Sequence, residues 1–325
     1  QLFMADVFSS GSPEDLEKVR KLIAEEKIGG VIFSKGGPQR QEKLTNEFQA
    51  LSETPLLIGM DAEWGLAMRL DSTYAFPWNM TLGATPGKQS SYEVGKRIGE
   101  HCKRLGVHIN FAPDVDINTN PLNPIIGNRS FGEDMYNVTN KAGAFMKGMQ
   151  STGTLACAKH FPGHGDTDQD SHKTLPTVDF SAERIDSVEL YPYRKLFKEG
   201  MASVMVAHLN IPSLEPRAGY PTSISENVVT DLLKTRMGFK GLIFTDALNM
   251  KGASNFSEPG EIDLQAFKAG NDVLLISENI PKAVDKIIAA WTQGDITDER
   301  IEHSVKKILK AKLNNIYHLR IEYPD

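Results

Sequence analysis

Asp246 is the side chain whose position in this sequence most favours chemistry. It follows Thr245 and an apolar run at residues 242–244, so a rigid strand would hold its carboxylate at one fixed point. A carboxylate held in this way can act as a nucleophile, as a general base or as a metal ligand. It can also simply cap the helix that follows by accepting hydrogen bonds from its N–H groups.

Several other apolar runs also end in polar side chains. The residues concerned are Ser34 and Lys35, Asp61 and Glu63, Asp114 and Asp116, Lys159 and His160, and His208. A structural salt bridge or a solvated loop explains any one of them taken alone. Because charges are costly to bury unless they are paired or functional, their repetition after successive runs favours a single functional surface.

Residues 159–172 form the segment richest in reactive groups, with three histidines and three aspartates. Imidazole and carboxylate together suit a zinc ion, but the spacing is not that of a known zinc helix motif. Asp170 precedes His172 by two residues, and a carboxylate that close can orient an imidazole and favour its protonated form. We therefore expect proton transfer in this segment, with no metal and no cofactor.

Eight short apolar runs, each followed by a segment of helical periodicity, must position these groups. The predicted strands lie at residues 2–5, 30–33, 56–60, 108–112, 155–158, 203–207, 242–244 and 273–276. The predicted helices lie at residues 13–26, with Ser12 as N-cap, and at 39–51, 90–105, 138–152, 182–199, 226–237, 262–270, 280–293 and 298–313. This alternation predicts the α/β class, as a (β/α)8 TIM barrel in which residues 1–325 form a single catalytic domain. The polar stretches 118–132 and 161–174 are then long loops on its catalytic face.

Residues 159–166 (KHFPGHGD), followed by Asp170, Ser171 and His172, resemble the signature of family 3 glycoside hydrolases. The resemblance is to the bacterial β-N-acetylglucosaminidase (β-N-acetylhexosaminidase) branch. Further segments agree in the expected order: 59–63 (GMDAE), 110–116 (NFAPDVD), 128–132 (NRSFG), 205–208 (MVAH) and 244–250 (FTDALNM). The resemblance covers essentially the whole chain and is to the N-terminal barrel domain of that family.

This resemblance implies a retaining, exo-acting enzyme that removes terminal N-acetylhexosamine from glycans or peptidoglycan fragments. Asp246 would be the nucleophile, His172 the general acid/base and Asp170 its dyad partner. The substrate-binding residues would be Asp61, Arg129, Lys159, His160 and His208. Many relatives draw their acid from a second α/β domain, for which this chain has no room, whereas the dyad loop is present.

Two positions depart from the family pattern. Residues 62–65 are AEWG where Gln-Glu-Gly-Gly is usual, and Ala247 stands where an acidic residue often follows the nucleophile. Both changes lie beside the expected sugar site, so they bear on substrate preference. They leave the nucleophile and the dyad in place.

The composition restricts the possible partners. A net charge of -6, spread along the chain without a basic block, gives no surface for nucleic acid or anionic lipid. It suits a neutral or mildly polar small substrate, which the resemblance implies is a carbohydrate. Two cysteines do not indicate a disulfide framework, and no apolar stretch reaches the length of a membrane span. Because the sequence starts within a predicted strand, we expect a trimmed terminus, which leaves room for an additional domain in the full-length chain. Location in a bacterial cytoplasm, periplasm or cell envelope stays open.

Three rival functions remain at the level of sequence. A β-N-acetylglucosaminide phosphorylase is compatible, because a histidine acid/base does not repel phosphate as a carboxylate would. A sugar-binding module without catalysis and a metal-dependent hydrolase on the same barrel are the other two.

Overall fold

Eight parallel strands form the core of the computed structural model, which describes residues 1–171 and 173–317. They are β1 Phe3–Phe8, β2 Gly30–Lys35, β3 Leu57–Met60, β4 Ile109–Asn110, β5 Leu155–Phe161, β6 Ser203–Val206, β7 Leu242–Thr245 and β8 Leu274–Leu275. The strands pair in the order β7-β6-β5-β4-β3-β2-β1-β8. A parallel bridge between Phe244 and Val273 joins β7 to the segment leading into β8 and so closes the barrel. The predicted (β/α)8 barrel is confirmed.

Helices follow the strands and cover the outside of the barrel. They are α1 Pro13–Ala24, α2 Pro38–Leu51, α3 Asn79–Ala84, α4 Gln89–Arg104, α5 Met135–Gln150, α6 Ala182–Ser187, α7 Tyr191–Lys198, α8 Lys251–Ser254, α9 Glu261–Ala269, α10 Ile280–Thr292 and α11 Asp298–Lys312. Short 3-10 turns lie at Leu66–Met68, Gly127–Arg129 and Thr222–Ile224, and π-helical segments at Asn227–Arg236 and Leu313–Tyr317. Among these described elements, no helix combines the length and the apolar character that crossing a bilayer requires.

Most predicted helices are found within a few residues of their expected bounds, and Ser12 caps α1 by accepting the N–H of Asp15. The predicted helix 182–199 is wrong as a single element, since it is divided into α6 and α7. Pro192 lies in the first turn of α7, where a missing N–H costs nothing, whereas in a continuous helix it would break a hydrogen bond. The predicted helix 226–237 is largely π-helical.

Glycines allow α4 and α5 to pack with their backbones in contact. A Cβ added at Gly148 would lie 2.0 Å from the carbonyl oxygen of Tyr92, and one at Gly95 would lie 2.2 Å from that of Phe145. Both obstacles are backbone atoms of the opposing helix, so no side-chain rotation relieves them. These helices lead into β4 and β5, which carry part of the polar ring at the barrel mouth.

We therefore expect Gly148→Ala to lower the free energy of unfolding by about 1–3 kcal/mol, because the helices must move apart. Gly143→Ala in the same helix is the matched control. Its new methyl group would meet only the side-chain ends of Glu199, at 3.0 Å, and Leu196, at 3.2 Å, which can shift, and alanine favours the helix. Urea unfolding of both variants measures the difference, and equal losses would contradict this account of the packing.

Candidate active site

The carboxyl ends of the strands surround a cavity of about 360 Å³. Its polar lining residues include Ser34, Asp61, Arg69, Arg129, Lys159, His160, His164, Ser171 and Asp246. Four of the five residues predicted to bind substrate therefore lie in one cavity with the predicted nucleophile. They come from segments far apart in sequence that the barrel brings together.

Lys159, at the end of β5, is the centre of a buried ionic network. Its Nζ lies 2.8 Å from Asp61 Oδ1 and 2.8 Å from Glu63 Oε1. The Arg129 guanidinium binds Glu63 through two donors, with Nη2–Oε1 at 2.8 Å and Nε–Oε2 at 3.0 Å. Arg69 completes the network with Nη2 at 2.6 Å from Asp61 Oδ2. This paired geometry fixes the donors and acceptors of one cavity wall.

The network keeps its members charged. Burial alone would raise the pKa of Glu63, but the charges of Arg129 and Lys159 outweigh it and lower this pKa to about 2. Burial also opposes ionisation of Asp61, whose pKa nevertheless falls well below its usual value beside Lys159 and Arg69. The same carboxylates outweigh the burial of Lys159 and raise its pKa. At neutral pH the wall therefore carries fixed positive and negative charges.

His160 joins this wall to two further aspartates. Its Nδ1 lies 2.6 Å from Asp116 Oδ2, and its Nε2 lies 3.2 Å from Arg129 Nη2. The Asp116 N–H donates to Asp114 Oδ1 at 3.0 Å, while Asp114 Oδ2 makes no hydrogen bond with the described residues. Burial and the adjacent Asp116 raise the pKa of Asp114 well above its usual value. Burial acts against ionisation of Asp116 too, but His160 outweighs it and lowers the pKa of Asp116.

Asp114, Asp116 and His160 also have the residue types of a metal site, with ligand atoms within 4.8 Å of one another. However, both oxygens of Asp116 are already engaged, Oδ1 by the His164 N–H at 2.6 Å and Oδ2 by His160. The Arg129 guanidinium lies 4.0 Å from Asp114 Oδ2 and would repel a cation. These three side chains are therefore better suited to a hydrogen-bond network than to binding a metal ion.

Asp246 directly follows β7 and lines the cavity beside Lys159 and His160. Its N–H donates to Val206 O at 2.9 Å, and its Oδ1 accepts the N–H of Ala247 at 2.8 Å. Burial would raise the pKa of its carboxyl, but His160, His208 and the Ala247 N–H together lower it. The side chain is thus held as a carboxylate on a rigid element.

The loop after β5 brings Ser171, which lies between the two residues of the predicted dyad, to the cavity. His172 lies outside the described residues, and the Asp170 carboxylate, of which 19% of the side-chain surface is exposed, has Oδ2 3.8 Å from Lys173 Nζ. Ser171 between them lines the cavity. Its carbonyl accepts the Gly252 N–H at 3.1 Å, and its hydroxyl lies 3.2 Å from His164 Nε2. The loop is therefore anchored beside the helix that follows Asp246.

His208 is the fifth residue predicted to bind substrate. Its side chain is buried, with Nδ1 2.7 Å from Ser223 Oγ and Nε2 3.0 Å from the Ala247 carbonyl oxygen, and it is not among the cavity-lining residues of the described chain. Through the Ala247 carbonyl oxygen it contacts the segment that directly follows Asp246. Arg69, in contrast, lines the cavity but was not predicted, because it lies in the long loop after β3 without any strand-end signal.

Comparison with protein families and relatives gives a consistent result. Residues 1–311 match the family described as glycosyl hydrolase family 3 N terminal domain. The chain is 33% identical over 327 residues to beta-hexosaminidase A of Pseudoalteromonas piscicida, covering 91% of this chain and 55% of that protein. It is 34% identical over 297 residues to a beta-hexosaminidase of Neisseria meningitidis serogroup C (strain 053442), covering 88% of this chain and 80% of that protein.

Solved structures of related proteins share the barrel. A glycoside hydrolase family 3 beta-N-acetylglucosaminidase from Paenibacillus sp. str. FPU-7 superposes with a TM-score of 0.91 at 38% identity, covering 100% of this chain and 63% of that one. A beta-glucoside phosphorylase bound to 2FGlc gives a TM-score of 0.91 at 27% identity, covering 100% and 59%. The chain thus spans about half the length of the Pseudoalteromonas relative and less than two thirds of either structure. These matches show that the chain belongs to glycoside hydrolase family 3, whose N-terminal domain its residues 1–311 represent.

Proposed function

We propose that this chain is the catalytic barrel of a retaining, exo-acting β-N-acetylglucosaminidase. The observation that carries the proposal is the shared cavity, in which the Asp246 carboxylate faces the ionic wall of Asp61, Arg129 and Lys159. Relatives named beta-hexosaminidase at 33–34% identity support the same activity.

The size and lining of the cavity suit a single terminal sugar residue. Its volume of about 360 Å³ is near the lower end of the range of roughly 300–1,000 Å³ that is usual for small-ligand pockets. Lys159 and Arg129 offer donors for ring hydroxyls on one side, while Met205, Leu275 and Ile276 line the cavity with apolar surface. A sugar that is polar around its ring and carries one acetyl methyl group matches both surfaces.

In the first half-reaction, the Asp246 carboxylate attacks the anomeric carbon and the bond to the leaving oxygen breaks. The carboxylate first stabilises the positive charge that develops on the ring and then forms a covalent glycosyl ester. The imidazolium of His172 gives its proton to the leaving oxygen, and Asp170 favours that charged form of the ring. The anchoring of Ser171 beside the cavity supports this assignment.

In the second half-reaction, water attacks the same carbon and the ester to Asp246 breaks. The now neutral imidazole of His172 accepts a proton from the water and returns to its starting state. Two displacements at one carbon retain its configuration.

The first test compares para-nitrophenyl β-glycosides that differ only at the 2-position, using the full-length protein with Asp246→Ala as inactive control. We expect kcat/KM for the 2-acetamido substrate to exceed that for the 2-hydroxy substrate by more than about tenfold, since a missing group in a fitted pocket costs about 1–3 kcal/mol. When phosphate is added, the product should still be free N-acetylglucosamine. Formation of the sugar phosphate would favour the phosphorylase, and absence of any release would favour a binding module.

A second prediction concerns His172→Ala. Its kcat/KM should fall by about 100-fold or more on substrates with poor leaving groups, because proton donation contributes on this scale. Aryl substrates with activated leaving groups need little protonation, so their loss should be much smaller. A leaving-group series measured for the wild type and the variant tests this, and equal losses across the series would exclude the acid role.

A further inference from the structure

The His160 ring is hydrogen-bonded at both nitrogens. Nδ1 lies 2.6 Å from Asp116 Oδ2, and Nε2 lies 3.2 Å from Arg129 Nη2. A guanidinium can only donate, so Nε2 must accept, and it therefore carries no hydrogen. The ring hydrogen must then be on Nδ1, from which it is donated to Asp116.

Arg129 cannot turn away from this contact without losing other bonds. Its Nη2 also binds Glu63 Oε1 at 2.8 Å, and its Nη1 donates to the Ile125 carbonyl oxygen at 3.1 Å. The acceptor state of Nε2 is thus imposed from the Arg129 side as well as from the Asp116 side.

We propose that Asp116 is a positioning residue that fixes His160 as its Nδ1–H tautomer, and that His160 Nε2 thereby holds the Arg129 guanidinium in place by accepting a hydrogen bond from its Nη2. The single lone pair of Nε2 is used in this contact, so the groups that donate to a substrate hydroxyl are Arg129 and Lys159. A ring with hydrogen on Nε2 would face Arg129 with a second donor and displace the guanidinium. The substrate part of this inference rests on the proposed function.

The burial and the hydrogen bonds of Asp116 suit it to this positioning role. Its side chain is buried, Oδ1 accepts the His164 N–H at 2.6 Å, and Oδ2 accepts the His160 N–H at 3.2 Å as well as the ring hydrogen. With both oxygens held by backbone donors, the carboxylate cannot rotate. It can therefore orient the ring without contacting substrate itself.

The Asp114 side chain is a second buried carboxyl group beside Asp116, and it is tolerated because it stays neutral. Two adjacent carboxylates do not both ionise readily in a buried site, and Asp114 Oδ2 has no hydrogen bond within the described residues. The charged or titratable groups that act on Asp114 include Asp116, Glu63, Arg129, Lys159, His160 and the buried Tyr193 hydroxyl. The single negative charge of the pair rests on Asp116, which is the partner that holds the imidazole.

The direct test is the tautomer of His160, read from long-range ¹H–¹⁵N correlation spectra of full-length protein labelled at its histidines. The His160 signals are identified by their loss in His160→Gln. We expect a protonated Nδ1 and an unprotonated Nε2 in the wild type at neutral pH. A ring protonated at Nε2, or at both nitrogens, would overturn the proposal without any variant and regardless of whether a sugar is cleaved.

Asp116→Asn tests the cause. The new amide should keep its oxygen at the Oδ1 position, where it accepts the shorter hydrogen bond from the His164 N–H, and its nitrogen at the Oδ2 position. This nitrogen would donate to His160 Nδ1 and so force the ring hydrogen onto Nε2. The same replacement in catalytic triads stabilises the wrong histidine tautomer. We expect kcat/KM to fall about 10- to 100-fold, mainly through KM. Asp114→Asn, whose amide resembles a neutral carboxyl group, should keep the Nδ1–H tautomer. An unchanged tautomer and KM in Asp116→Asn, or a switch in Asp114→Asn, would contradict the role of Asp116.

Discussion

Pairing of buried charges at the mouth of the barrel is the constraint on which the site depends. Lys159 lies between Asp61 and Glu63, and Arg129 closes the network through Glu63. Removing one partner of such a network leaves an uncompensated charge in a buried place, which costs several kcal/mol. The wall is therefore fixed in shape as well as in charge, and a polar ligand meets donors and acceptors that do not need to reorganise.

The roles proposed for the cavity residues follow from the rigidity of the elements that carry them. Asp246 directly follows a buried strand, and its carboxylate is oriented by the Ala247 N–H. The dyad segment belongs to a loop, but Ser171 ties that loop to Gly252, close behind Asp246 in sequence. His208 contacts the same segment through the Ala247 carbonyl oxygen. Asp246, the proposed nucleophile, and the loop proposed to carry the proton donor thus belong to segments that share contacts, which suits a reaction in which both act on one bond.

Sequence patterns predicted the features that repeat or are local. The alternation of strands and helices predicted the barrel, and the polar residues after successive strands predicted Asp61, Lys159, His160 and Asp246 as neighbours. The pairings themselves were beyond the sequence, because Lys159 and Asp61 are 98 residues apart and only the closed barrel brings them together. Arg69 lies in an irregular loop without a pattern. The sequence placed His208 among the substrate-binding residues, but it could not show that Ser223 and the Ala247 carbonyl oxygen are hydrogen-bond partners of its ring.

The most direct measurement of the central claim is to trap the enzyme with a fluorinated N-acetylglucosaminyl donor that reacts quickly and is released slowly. Peptide mass spectrometry of the reacted protein then locates the attached sugar. The account predicts one sugar residue, bound through an ester to Asp246. Attachment to a different residue, or steady release of a product with inverted configuration and no labelled peptide, would contradict it.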